Sequence, residues 1–194
     1  LPSDVLAQAR EQFFREASVL ARLDHPNLPK VSDFFSEENR DYLVMDYVPG
    51  KDLRQLMQEA RRSNTFIPER EVLSWASQIA DALNYLHHQD PPIVHRDIKP
   101  ANILLRSKQG VIDLQAPLPE DVEPVLTDFG LVRLLDSNTK TSTGTVSGTP
   151  SYMSPEQARG DSVDHRTDIY SLGVVLYEML AGEVPFDAES SFGV

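Results

Sequence analysis

From Asp168 to Ala181 apolar residues fall on nearly every face of a helix, and a helix of that kind has to be surrounded by other parts of its chain. Ser171 and Glu178 interrupt the run, which is too short to cross a bilayer, so the expected cover is protein and not lipid. The rest of the sequence offers candidates for that cover. A helix is expected after Pro68, with Val72, Leu73, Ala76, Ile79, Ala80, Leu83 and Leu86 on one broad face. Another runs from Val5 to Leu23, where Phe13, Ala17 and Leu20 recur at helical spacing, Leu6, Phe14 and Leu23 widen the stripe, and Pro26 follows the end. Between these, Lys30–Ser36 and Asp41–Val48 are rich in β-branched and aromatic residues and read as two strands of a hairpin. Pro49-Gly50 breaks the second strand, and Asp52 stands at a helix N-cap ahead of Leu53, Leu56 and Met57.

Beyond about Asp90 the pattern changes. Short apolar runs at Ile103–Leu105, Val111–Ile112 and Val125–Leu126 alternate with loops. Leu114–Pro124, rich in proline and acidic residues, reads as an inserted, solvent-exposed loop. Ser137–Ser147 is nearly all Ser, Thr, Asn and Gly, which cannot pack a core unaided, and reads as a flexible loop. With 194 residues a single domain, or one large piece of one, is the default. A net charge of −12 argues against a surface that neutralises nucleic acid or anionic lipid, so any phosphate must be held locally. The absence of cysteine rules out disulfides and thiolate metal sites. The first residues carry neither an initiator methionine nor a secretory signal, and the simplest expectation is a chain that begins inside a longer polypeptide.

Three stretches concentrate the chemistry. His95-Arg96-Asp97-Ile98-Lys99-Pro100-Ala101-Asn102 is followed by Asp128-Phe129-Gly130, and then by Gly148-Thr149-Pro150-Ser151-Tyr152-Met153-Ser154-Pro155-Glu156. Asp-Phe-Gly alone is only a turn tripeptide; the three stretches together are far more specific. In this order they resemble the catalytic loop, metal-binding turn and activation-segment end of the eukaryotic-type protein kinases. The resemblance implies an α+β, protein-kinase-like fold. Residues 1–48 would be a partial small lobe and hinge, with the family's helix C and its fourth and fifth strands. Residues 49–194 would be an incomplete, mainly helical large lobe without its last helices, in which 106–124 is an enlarged surface loop and 128–156 the activation segment. The wording Ser-Pro-Glu-Gln-Ala-Arg-Gly at 154–160 is most similar to bacterial members.

Phosphoryl transfer passes through a charged, loose transition state, so a site needs a divalent metal, hard oxygen ligands, a carboxylate at the attacking hydroxyl and a cation. By resemblance, Asp97 would accept or orient the hydroxyl proton, Lys99 would neutralise the transferring phosphate of ATP, and Asn102 and Asp128 would hold Mg²⁺. Lys99 two residues after Asp97, with Thr149 downstream, is similar to the serine/threonine subclass. By resemblance Glu16 takes the place of the acid that pairs with the ATP-binding lysine, although the residues alone favour a plain surface acid. Met45 would guard the back of the adenine pocket, backbone groups of Asp46 and Val48 would meet the base, and Leu104 would form the floor. Asp46 stands where glutamate is commoner. Asp52 would reach the ribose, with the N-cap role an equal explanation. His95, Phe129 and Leu20 would belong to a stacked core that aligns the site, and Asp168 would anchor the catalytic-loop backbone. Arg96 and Arg133 would bind an activating phosphate on Thr145 or Thr143, the alternative being an unmodified polar loop.

Departures from the family pattern set further expectations. No glycine precedes Gly50 and the first lysine is Lys30, so the Gly-rich loop and the ATP-binding lysine are not in this sequence; no arginine after Arg166 can pair with Glu156. The expected whole is an ATP-dependent Ser/Thr kinase acting on protein substrates, with this chain as its central segment, poorly stable and nearly inactive alone. The competing reading is a catalytically silent, kinase-like binding module. The expected location is the cytoplasm, either free or as the cytoplasmic part of a larger membrane protein; oligomeric state is open.

Overall fold

The computed structural model describes residues 3–38, 40–110, 112–128 and 150–186. Helix α1 (Ser3–Leu20) buries Phe13, Ala17 and Leu20, the stripe set by its periodicity. Strands β1 (Val31–Glu37) and β2 (Arg40–Met45) pair antiparallel with Phe35 opposite Tyr42 and Glu37 opposite Arg40. Alternation along the strands separates two faces. On one, Phe34 meets Phe14 of α1 edge to face at 5.7 Å; on the other, Phe35 stacks on Tyr42 at 5.1 Å.

The segment between α1 and β1 joins these elements to the rest. Asn27 is buried; its side-chain amide donates to Pro124 O (2.8 Å), and its carbonyl accepts from the Leu126 N–H (2.8 Å). The Tyr85 hydroxyl accepts from the Asp24 N–H at 3.0 Å. After β2, Gly50 adopts φ +139°, and a Cβ there would sit 2.0 Å from Leu105 O, so only glycine allows the chain to pass this close to the next sheet. That sheet is antiparallel, in the order β3 (Lys51–Asp52), β4 (Ile103–Arg106), β5 (Glu123–Leu126). Helix α2 (Leu53–Arg62) starts with a capping box in which Asp52 and Gln55 satisfy each other's backbone N–H. The expected loop between β4 and β5 is only partly solvated: Ile112 and Val122 are buried, and Leu114 and Leu118 pack against the core.

Helix α3 (Glu69–His87) buries Val72, Trp75, Ile79, Ala82, Leu83 and Leu86 against β5 and the last long helix. Two short elements lead there, a 3-10 turn at Pro150–Tyr152 and α4 (Pro155–Arg159), capped by Ser154 and ended by Gly160. The last helix, α5 (Arg166–Ala181), corrects the expectation of burial on every side. Thr167, Asp168, Ser171, Val174, Val175, Glu178 and Met179 are buried, whereas Ile169, Tyr177 and Leu180 are 53%, 47% and 44% exposed. Among the described residues, α3 and the Pro150–Tyr152 turn cover one side only. The result is a mixed α+β arrangement of helices with two small antiparallel sheets.

Candidate active site

Between α3 and β4 the chain has no regular structure until a 3-10 turn at Pro100–Asn102. Its backbone is held from below by Asp168, which is wholly buried on α5. The Arg96 N–H donates to Asp168 Oδ1 at 2.7 Å and the His95 N–H to Oδ2 at 2.9 Å. A buried carboxylate without such donors would be costly, so the pairing serves both sides. From the other flank, Gln157 of α4 donates its side-chain amide to Arg96 O at 2.8 Å.

His95 is buried, its Nε2 3.0 Å from Thr127 O and its Nδ1 3.3 Å from the Asp97 amide nitrogen. One nitrogen must donate and the other accept, which is the neutral imidazole. Burial pushes its pKa below the ordinary histidine value, outweighing Asp168, the Thr127 carbonyl, Asp97 and Asp128.

On this support Lys99 Nζ and Asn102 Nδ2 converge on Asp97 Oδ2 at 2.8 and 3.0 Å, and Asn102 Nδ2 also donates to Asp97 O at 2.8 Å. Asn102 thus spends its amide nitrogen on Asp97. Thr127 donates through both N–H (2.9 Å) and Oγ1 (3.2 Å) to Asn102 O, which ties the end of β5 to the loop. Asp128 follows and is exposed. Arg96 (φ +66°) and Asp128 (φ +58°) both occupy the left-handed region, which costs a non-glycine residue about 1–3 kcal/mol.

The residues expected at the nucleotide lie at the end of β2, in the segment after it and on the neighbouring sheet. Met45 ends β2, half-buried against the core; Asp46 is exposed, and its N–H donates to Lys30 O (2.8 Å). Val48 is buried. Leu104 pairs in register with Asp52 and points to the face opposite the fully buried Leu105. Asp52 Oδ1 accepts the Gln55 N–H at 2.8 Å, so the N-cap role is directly visible. Glu16 accepts from Gln12 Nε2 through Oε1 (3.0 Å), but its Oε2 is buried without a hydrogen-bond partner. Burial raises its pKa above the ordinary carboxylate range despite the Gln12 bond and nearby Arg15.

Compared with known proteins, residues 3–192 match the protein kinase domain family. This chain belongs to that family. It is 42% identical over 183 residues to a probable serine/threonine-protein kinase of Clostridium acetobutylicum, covering 94% of the chain and 25% of the relative. With the serine/threonine-protein kinase pkn3 of Myxococcus xanthus the figures are 38% identity over 198 residues, all of the chain and 33% of the relative. Among solved structures, the Mycobacterium tuberculosis PknI kinase domain is similar at a TM-score of 0.67 and 31% identity, over 96% of this chain and 64% of that one. The chain therefore spans a quarter to a third of these two curated relatives.

Within this kinase domain, Phe129, Arg133, Thr143, Thr145 and Thr149 lie outside the described residues. Sequence reasoning missed Thr127, Gln157 and His87, the last with its Nε2 2.7 Å from Asp168 Oδ2. The signal for Gln157 was a capping box, Ser154 followed three residues later by Gln157. No spacing rule points to the other two.

Proposed function

We propose that this chain supplies the catalytic centre of an ATP- and Mg²⁺-dependent protein serine/threonine kinase. The observation that carries the reading is the convergence of Lys99 and Asn102 on Asp97 above a loop clamped by Asp168. A merely structural loop has no use for a half-exposed carboxylate that shares one oxygen between a lysine and a buried amide. Asp97 receives the proton of a Ser or Thr hydroxyl or orients it, and Lys99 neutralises charge on the transferring phosphoryl group. The amide oxygen of Asn102 and the exposed carboxylate of Asp128 are hard donors that suit Mg²⁺, a cation usually held by one or two protein oxygens together with phosphates and water. Mg²⁺ would screen the phosphate charge when bound; the chain's own part is to hold these side chains in register.

In this reading α1, β1 and β2 belong to the small lobe, and residues from β3 onward to the large lobe. Met45, Asp46, Val48 and Leu104 frame adenine, Asp52 meets the ribose, and Glu16 awaits the cation of an ATP-binding lysine. Its partnerless buried oxygen supports that role. Arg96 and Arg133 would hold a phosphate on Thr145 or Thr143, and Thr149 would help select the hydroxyl acceptor.

Transfer of labelled phosphate from ATP by the full-length protein tests this. Asp97→Asn is expected to lower the rate by about 10²–10⁴-fold, the usual contribution of a positioned acid–base group. Mapping the label is expected to find Thr145 or Thr143. Equal transfer by parent and variant would remove Asp97 from this role, and no transfer by the parent would favour the silent binding module.

A further inference from the structure

The backbone of His95 and Arg96 is held by two N–H bonds to one buried carboxylate, at a point where Arg96 is strained into the left-handed region. That hold is only as firm as the orientation of the carboxylate itself. The terminal torsion of an aspartate is broad, so Asp168 needs a further contact to fix it. The structure provides one. His87, the last residue of α3, places Nε2 2.7 Å from Asp168 Oδ2, the oxygen that also accepts the His95 N–H. Its side chain is only 9% exposed, and the ring of His165 lies against it at 5.5 Å. Asp168 cannot donate while ionised, so the bond requires a proton on His87 Nε2, which both the imidazolium and one neutral tautomer carry.

We propose that His87 is a positioning residue for phosphoryl transfer, its Nε2–H acting through Asp168 to set the strained His95–Arg96 backbone and hence the reach of Asp97. This rests on the reading of Asp97 as the catalytic carboxylate. His87 touches neither substrate nor nucleotide in this role. Its removal should therefore slow the chemical step without weakening binding.

The test uses the full-length protein with His87→Leu, which fills the space without a donor, and His87→Gln, whose amide nitrogen can reach the place of Nε2. The Leu variant is expected to lose about 10- to 100-fold in kcat, the effect of deleting a hydrogen bond to a charged group, with KM for ATP and peptide within about twofold. Gln should recover most of the loss. Amide exchange at His95 and Arg96 should quicken in the Leu variant and return to parental rates in the Gln variant. His87→Asn, too short to reach Asp168, replaces Leu if that variant does not fold. Equal kinetics and exchange in the donor and non-donor variants, or a loss confined to KM, would overturn the proposal. In the same assay, Asp97→Asn transferring at the parental rate would sink the catalytic reading along with it. An inactive Asp97→Asn beside indistinguishable Leu and Gln variants would sink the role of His87 alone.

Discussion

Glu16 shows how a single side chain can be poorly suited to the structure it sits in and still be informative. Its Oε2 is buried without a partner, and burial raises its pKa. For an acid whose pKa is higher in the folded state, stabilisation is complete below the unfolded value and is lost as pH rises through the folded one. Glu16→Gln is therefore expected to raise the melting temperature of the chain near neutral pH. The gain should shrink to nothing below about pH 4, where the carboxyl is protonated in both states. Thermal melts at the two pH values check this. In the full-length protein the same change should lower transfer activity, because stabilising a site by removing its charge costs function where that charge is used.

Among the elements, the sharpest local constraint is where β3 meets β4. Gly50 combines φ +139° with a backbone carbonyl that would lie 2.0 Å from any Cβ. Gly50→Ala is expected to cost about 2–5 kcal/mol, from strain at positive φ and displacement of Leu105 together. A lower urea midpoint with an unchanged slope would report it. The elements themselves were largely legible. The stripe of Phe13, Ala17 and Leu20 and the Asp52 cap appear where periodicity and capping chemistry place them, and so do Val72, Ile79, Leu83 and Leu86; Leu73 and Ala80, expected on the same face, are exposed, and Trp75 and Ala82 are buried instead. Val111–Ile112 shows the limit of that signal: Ile112 is buried, yet it belongs to no strand. A short apolar run says that a residue is covered and not which backbone hydrogen bonds it makes.

For the whole molecule, the packing of α1, β1 and β2 onto the rest depends, among the described residues, on few polar ties, and Asn27 carries the most buried of them. Its side chain reaches Pro124 O and Gln78 Oε1 at 2.8 and 3.1 Å. Asn27→Ala would leave a buried carbonyl unsatisfied, at about 1–3 kcal/mol. Faster amide exchange at Leu126, with α3 unaffected, is the expected signature. The whole-chain view also explains the correction on α5. Its composition describes a helix that can be buried all round, but burial depends on which segments pack against it, and the described residues supply one side.

The sequence by itself determined most of the long helices and strands, through helix and strand periods and capping, while the resemblance of its motifs named the family and the cluster Asp97, Lys99 and Asn102, whose members lie a few residues apart on one loop. The anchoring role of Asp168 was also implied by the resemblance, but only the tertiary structure decided which groups it and Gln157 hold. Asp168 meets His95, Arg96 and His87 across 73, 72 and 81 residues of chain, and Gln157 meets Arg96 across 61. Hydrogen-bond partners so far apart leave no period in the sequence. They exist only once packing has brought buried donors and acceptors to within about 3 Å, where each must be satisfied.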